Sequence, residues 1–310
     1  MRRLCISFSG GETSALMTWH ILNGPLYDEY DEIAVVFANT GEEREETLEF
    51  VRDCDRHFGF GTRWIEAVIH HNQRKAPTAR LVSFETATRM NAENGPFEQH
   101  IRKHGIPNQK FKDCTRNLKQ KPIEAYLRDE LGWGKDYDLA IGIRADEVDR
   151  ISSAAKQRRI IYPLVSSPPT TKAQVNEWWR RQPFRLQLKG YEGNCAWCWK
   201  KSMRKHITLY RERPELFDFP RRMEQTYPRV GPEFLKDPAT RERPIEPDYV
   251  RTFFRGSLSV EDIARESARR GDSFVPAPDD HVIYDQFDPD LDVGGGCEES
   301  CEVFADEDEE

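Results

Sequence analysis

Between residues 4 and 143, short apolar runs alternate with amphipathic stretches, and no other feature limits the fold more. Residues 4–8 (LCISF) predict a strand and residues 13–22 a helix. Residues 32–38 (EIAVVFA) form a nearly continuous apolar run, the pattern of a parallel strand covered on both faces. Residues 42–58 predict a helix with apolar positions at Leu48, Val51, Cys54 and Phe58, and residues 63–69 a third strand. A helix over 116–131 and a strand over 139–143 (LAIGI) follow. Strands separated by helices imply βαβ units, and so an α/β fold built on a doubly wound, Rossmann-like parallel sheet. Ligands of such sheets bind beyond the carboxyl ends of the strands.

Three parts are expected. Residues 1–205 make the α/β domain, which includes a Cys-bearing loop. Residues 206–275 make a mostly helical, basic extension, in which Ser259 and Asp262 have capping-box spacing. Residues 276–310 make an acidic, Gly-rich tail expected to be disordered. The formal charge of −8 hides a division: residues 281–310 hold 12 Asp and Glu and no Lys or Arg. That leaves 46 Lys and Arg against 42 Asp and Glu, a net +4, in the first 280 residues. A mildly basic body suits an anionic ligand. No apolar run approaches the roughly 20 residues of a membrane helix. The N-terminal residues run straight into a strand pattern, so a cytoplasmic protein is expected.

After the first strand come Ser9, Gly10, Gly11, Glu12, Thr13 and Ser14, and then a helix. Two glycines let backbone approach an anion, two serines offer hydroxyls, and the helix N-terminus points free N–H groups at the same spot. The loop differs from GxxxxGK(S/T) in lacking a lysine. It resembles the PP-loop, SGGxDS, of the adenine-nucleotide α-hydrolase-like group, with Thr13 where that motif has Asp. The phosphoadenylyl-sulfate (PAPS) reductase family of this group matches further along the chain. Asn39, Thr40 and Gly41 with Glu46 and Thr47 resemble its DTGx4ET signature, Asn39 replacing Asp. Cys114 and Thr115, followed by Lys119 and Pro122, resemble its CCx3Kx2P segment, Thr115 replacing the second Cys. Gly142–Ile143–Arg144, Tyr162–Pro163–Leu164 and Cys195–Ala196–Trp197–Cys198 match later segments in the right order, so that the resemblance spans residues 4–205. The pattern is that of reductase-like proteins of phages and prophages.

The resemblance implies several site roles. Residues 9–14 and 39–41 would hold ATP or a related adenine nucleotide, with Mg²⁺. Arg116, Lys119 and Arg144 would bind phosphate or sulfate oxygens and offset charge in the transition state. In iron–sulfur members the CC and CxxC pairs hold a 4Fe-4S cluster. Here Cys114, Cys195 and Cys198 would supply three thiolates and leave one iron open. Zinc, or thiols without a metal, are the alternatives. Cys5 and Cys54 sit in apolar periodic segments and read as core. Cys297 and Cys301 follow three glycines and are candidate mobile catalytic thiols, although Glu298, Glu299 and Glu302 beside them raise thiol pKa. Lys200, Lys201, Arg204, Lys205 and His206 are either a phosphate- or nucleic-acid-binding run or a solvated helix face.

The sulfate reductases carry a C-terminal Glu-Cys-Gly nucleophile, absent here, and generally lack the full SGG loop. Both departures favour an ATP-pyrophosphatase-type adenylyl transfer coupled to sulfur chemistry. A thiol-dependent PAPS or adenylyl-sulfate reductase is the second reading, and a non-catalytic nucleotide-binding protein the third. Partners implied are the nucleotide, a nucleic-acid or small-molecule sulfur acceptor, and a thiol reductant or sulfur donor.

Overall fold

A computed structural model describes residues 1–236 and 245–279. Six strands form one sheet: β1 (Arg3–Ser7), β2 (Glu32–Asn39), β3 (Arg63–Val68), β4 (Thr78–Val82), β5 (Asp138–Ala140) and β6 (Ile160–Ile161). Their order is β4-β3-β2-β1-β5-β6. All neighbours are parallel except β3 and β4. The first helices are α1 (Glu12–Leu22), α2 (Glu45–Phe58), α3 (Pro96–His104), α4 (Asp113–Thr115) and α5 (Lys121–Asp129). Then come α6 (Pro163–Ser166), α7 (Lys172–Arg180), α8 (Met203–Glu212), α9 (Asp218–Thr226), α10 (Pro232–Leu235) and α11 (Val260–Arg270). This is the Rossmann-like α/β arrangement with a helical C-terminal portion. Among the described residues no helix is long and apolar enough to cross a membrane.

Period-two alternation in the strands builds two cores at once. Leu4, Ile6, Val35 and Phe37 face α1, α2 and α7 through Leu16, Val51 and Trp179. Cys5, Ala34, Val36, Ala38 and Leu139 face the other way, onto Ile123 and Leu127 of α5. Cys5 and Cys54 are completely buried in these two cores, which pushes both thiols well above their ordinary pKa. A third cluster joins Ile207, Phe217, Met223, Phe253 and Ile263 of the helical portion to Phe97, Ile101, Leu118 and Trp197. The helical extension thus shares its core with segments of the preceding part. Helix starts follow local chemistry: α7 and α11 open on capping boxes, Thr171 with Gln174 and Ser259 with Asp262.

Differences from the expected elements have local causes. The helix expected from residue 42 begins at Glu45, because Glu43 pairs with Cys195 as an isolated antiparallel bridge and the Arg44 N–H donates to the Asn194 carbonyl at 2.8 Å. The helix expected from residue 116 opens as a π-helical turn over Arg116–Gln120 before α5. The antiparallel edge strand β4 was not anticipated. The Pro276–Asp279 end is tied down: Arg204 donates to the Val275 and Pro276 carbonyls, and the Gly190 N–H donates to Asp279 Oδ1. The expected tail beyond Asp279, with Cys297 and Cys301, lies outside the described residues.

Candidate functional site

The strand order reverses between β1 and β5, and the loops leaving these strands meet at the N-terminus of α1. Gly10 has φ +84°, a left-handed conformation, and a Cβ there would lie 2.9 Å from Thr47 Cγ2. Gly142, after β5, is packed so tightly on Ser14 that a Cβ would lie 3.1 Å from its Cα. Ser9 Oγ donates to Ser14 Oγ at 2.8 Å, which in turn donates to the Gly11 carbonyl at 3.0 Å. The N-cap of α1 is Gly11, which has no side chain, so backbone rather than a capping side chain surrounds the positive end of the helix dipole. Over this turn sits Arg144, 4% exposed. Its Nη1 donates to Thr13 Oγ1 at 3.2 Å and its Nε to Asp146 Oδ1 at 3.0 Å, while buried Nη2 has no partner.

The other expected nucleotide residues divide by what their side chains already do. Glu12 is buried and clamped by Arg185 through two bonds of 2.9 Å, and its carbonyl accepts from Trp179 Nε1 at 2.9 Å, so neither its side chain nor its carbonyl is left for a ligand. Asn39 is spent on the β2–β3 junction: its Nδ2 donates to Glu66 Oε1 at 2.7 Å and the Thr88 carbonyl at 2.9 Å, and its Oδ1 accepts from the Gly41 N–H at 3.1 Å. Thr40 Oγ1 donates to Glu43 Oε1 at 3.2 Å.

The Cys-bearing loop folds onto both loops. Asn194 Nδ2 donates to the Ser9 carbonyl at 2.8 Å, and its Oδ1 accepts from Thr47 Oγ1 at 3.1 Å. Cys195 and Glu43 pair through backbone. Trp197 Nε1 donates to Glu42 Oε2 at 3.2 Å. The tryptophan ring is fully buried, stacked on Phe219 and edge-on to Phe97 and Phe253, so it packs rather than offering a platform. Cys114 and Cys195, both partly exposed, pack against this same cluster, and Cys198 is buried. Among the described residues no group of three or more His, Cys, Asp or Glu that could hold a metal ion is present.

Of the three expected basic groups, two are buried, each on its own partners. Lys119 Nζ lies 3.1 Å from Glu43 Oε1, both groups buried, and Arg144 covers α1, whereas Arg116 is exposed. The run after the CxxC divides: Arg204 and Lys205 are partly exposed, the other three not. Lys200, Lys201 and His206 are buried, and Lys201 Nζ donates to the Cys195 carbonyl at 2.9 Å. Glu42, Glu43, Asn194 and Arg185 were missed by sequence reasoning. The consecutive charges Glu42-Glu43-Arg44 at a strand end were the available signal.

Glu42 is 2% exposed, and burial raises its carboxyl to about 8, against the Trp197 and Asn91 N–H groups that hold it down. The ordinary value is 4.5. Between the two, the folded chain binds a proton that the unfolded chain has released. This contribution to stability is full below about pH 4.5 and is lost as pH rises through about 8. Denaturant melts from pH 5 to 8.5 are expected to show the wild type losing a few kcal/mol (~1.4 per pH unit) relative to Glu42→Gln. Parallel pH profiles would refute the assignment.

No protein-family model matches the chain. An uncharacterized protein of Methanocaldococcus jannaschii is 25% identical over 222 residues, covering 69% of this chain and 39% of that protein. The nin region protein ORF290 of Escherichia phage lambda, itself uncharacterized, is 30% identical over 301 residues, covering 96% of this chain and 94% of that protein. With the match running through the β1 loop, the Cys-bearing loop and the helical portion alike, the chain belongs to the family of the phage lambda nin region protein ORF290.

Proposed function

We propose that the chain is a PP-loop enzyme of the PAPS reductase type that binds ATP at the β1–α1 loop and transfers its adenylyl group in the course of sulfur chemistry. One observation carries the reading. The glycine-capped N-terminus of α1 lies beside the buried Arg144 guanidinium, whose Nη1 donates to Thr13 and whose Nη2 has no partner. A buried donor left over beside a helix N-terminus suits phosphate oxygens. In the reaction an acceptor oxygen attacks the α-phosphorus, the bond to the bridging oxygen breaks, and pyrophosphate leaves. The acceptor's proton goes to solvent. Catalysis is chiefly positioning and charge stabilisation.

Mg²⁺ would accompany ATP. Glu12 and Asn39 are committed elsewhere, whereas Glu43 Oε2 is buried without a partner and fits a cation ligand. The thiols proposed for an iron–sulfur cluster are Cys114, Cys195 and Cys198, a soft donor set that is not gathered into one metal-binding group among the described residues; the cluster would supply a sulfur-binding, redox-active centre. Zinc at the same thiols is the competing occupant. Reduction of PAPS or adenylyl sulfate by a thiol is the second reading, kept by Cys297 and Cys301, which follow three glycines in the sequence.

Titration calorimetry tests the nucleotide seat. Arg144→Gln is expected to weaken ATP·Mg²⁺ binding about 10- to 100-fold, the loss of one charge-assisted contact. Equal affinity in wild type and variant would refute it. With ATP, Mg²⁺ and an acceptor, pyrophosphate and the adenylylated acceptor are expected, and AMP follows when a sulfide donor is added and its sulfur displaces AMP from the acceptor. Sulfite released from PAPS and a thiol, and lost on truncation before Gly294, would make the chain a reductase instead.

A further inference from the structure

Exposed cations lie on three adjoining segments, the last of which runs on into Cys114. The β3–β4 connection carries Arg74 and Lys75, the end of α3 carries Arg102, and the loop into the π-helical turn carries Lys110, Lys112 and Arg116; all six are exposed. Two sets of contacts hold these segments together. Lys103 Nζ, on α3, donates to the Gln73 and Lys75 carbonyls at 3.3 and 3.2 Å. Arg251 Nη1 donates to the His104 carbonyl at 2.9 Å, while its guanidinium lies 3.6 Å from the ring centroid of Phe111, between Lys110 and Lys112.

The nearby acids are already engaged. Asp113 pairs with His100 at 3.3 Å, Asp129 with Arg128 at 2.7 Å and Glu98 with Arg222 at 3.2 Å. None of the six cations is in an ion pair among those seen in the described residues. The field they create is felt locally: burial first, then Lys75 and Lys103, lowers His70, and burial, then Arg102 and Lys103, lowers His71.

The three cationic segments carry none of the large exposed apolar side chains of the described residues; a single one, Val250, adjoins Arg251 in the chain. The face therefore offers a membrane no apolar wedge and a protein partner no hydrophobic centre. It also offers no open ring for stacking a single-stranded base, because Phe111 is covered by Arg251. What remains is an array of point charges on rigidly joined segments, which suits the regular phosphate spacing of a double helix.

We propose that this face docks the phosphate backbone of a nucleic-acid duplex. The contact is independent of base sequence and places the duplex beside Cys114. It rests on residues other than those of the nucleotide seat, so each reading can fail without the other.

Fluorescence anisotropy with labelled 20-base-pair DNA and RNA duplexes, a single strand of the same sequence, and phosphatidylserine vesicles tests it on the full chain without ATP. Duplex binding is expected, with log affinity falling linearly with log salt. Arg74→Ala/Lys75→Ala/Arg102→Ala is expected to weaken binding at least about tenfold and to flatten the salt slope by up to about 3. Lys110→Ala/Lys112→Ala should do the same with a slope change of up to about 2, which guards against a folding defect in either variant. No duplex binding at 50 mM salt, binding unchanged in both variants, or vesicle or single-strand binding that exceeds duplex binding would overturn the proposal.

Discussion

A Gly11→Asp protein is expected to fold as well as the wild type and to bind ATP at least about 100-fold more weakly. The two halves of this outcome have different causes. Gly11 is the N-cap of α1 with φ −101° and ψ 162°, a conformation open to any residue. Aspartate is among the favoured N-caps, contributing about 1 kcal/mol where it accepts a first-turn N–H. The same carboxylate then occupies the seat proposed for phosphate, and its charge repels the nucleotide under the Arg144 guanidinium. Gly10→Ala would separate the effects in the opposite sense. Its φ of +84° and the 2.9 Å approach to Thr47 Cγ2 make any side chain there a strain on the fold itself. Calorimetry for ATP and a thermal melt on both variants check the pair. An ATP affinity equal to wild type in Gly11→Asp would remove the loop from the binding site.

The alternation of runs was legible because a parallel sheet covered on both faces imposes it on each central strand. The run over β2 divides between the two cores, Val35 and Phe37 in one and Ala34, Val36 and Ala38 in the other. The edge strand β4 escaped because only one flank pairs, and its Thr-Ala-Arg-Leu-Val sequence carries no sustained apolar run. The glycines of the β1–α1 loop were legible for a related reason: they answer to local backbone geometry. Glu43 was not. Its burial exists only because residues 194 and 195 return, some 150 positions later, to pair with residues 43 and 44. The charges after the CxxC were misread for the same cause. Lysines in a row look solvated, yet the Lys201 ammonium caps the Cys195 carbonyl within a buried turn. Neighbours in the chain can be read from the chain; partners supplied by a distant fold-back cannot.

That fold-back also decides how the cysteine substitutions should behave. The Cys195 segment is held by backbone pairing to Glu43, by Asn194 on Ser9 and Thr47, and by Lys201 on the Cys195 carbonyl. None of these bonds uses a thiol, so Cys195→Ala is expected to keep the loop in place while removing a proposed ligand. Protein purified without oxygen should contain iron and sulfide, and each of Cys114→Ala, Cys195→Ala and Cys198→Ala should lose most of both. Cys5→Ala and Cys54→Ala should keep full iron, because those thiols lie in the two sheet cores and burial keeps them protonated. Metal and sulfide analysis with an absorption spectrum, beside a thermal melt for each variant, reads the result. Full iron in Cys114→Ala would eliminate the three-thiolate set, and stoichiometric zinc without iron in the wild type would assign the thiols to a structural metal instead.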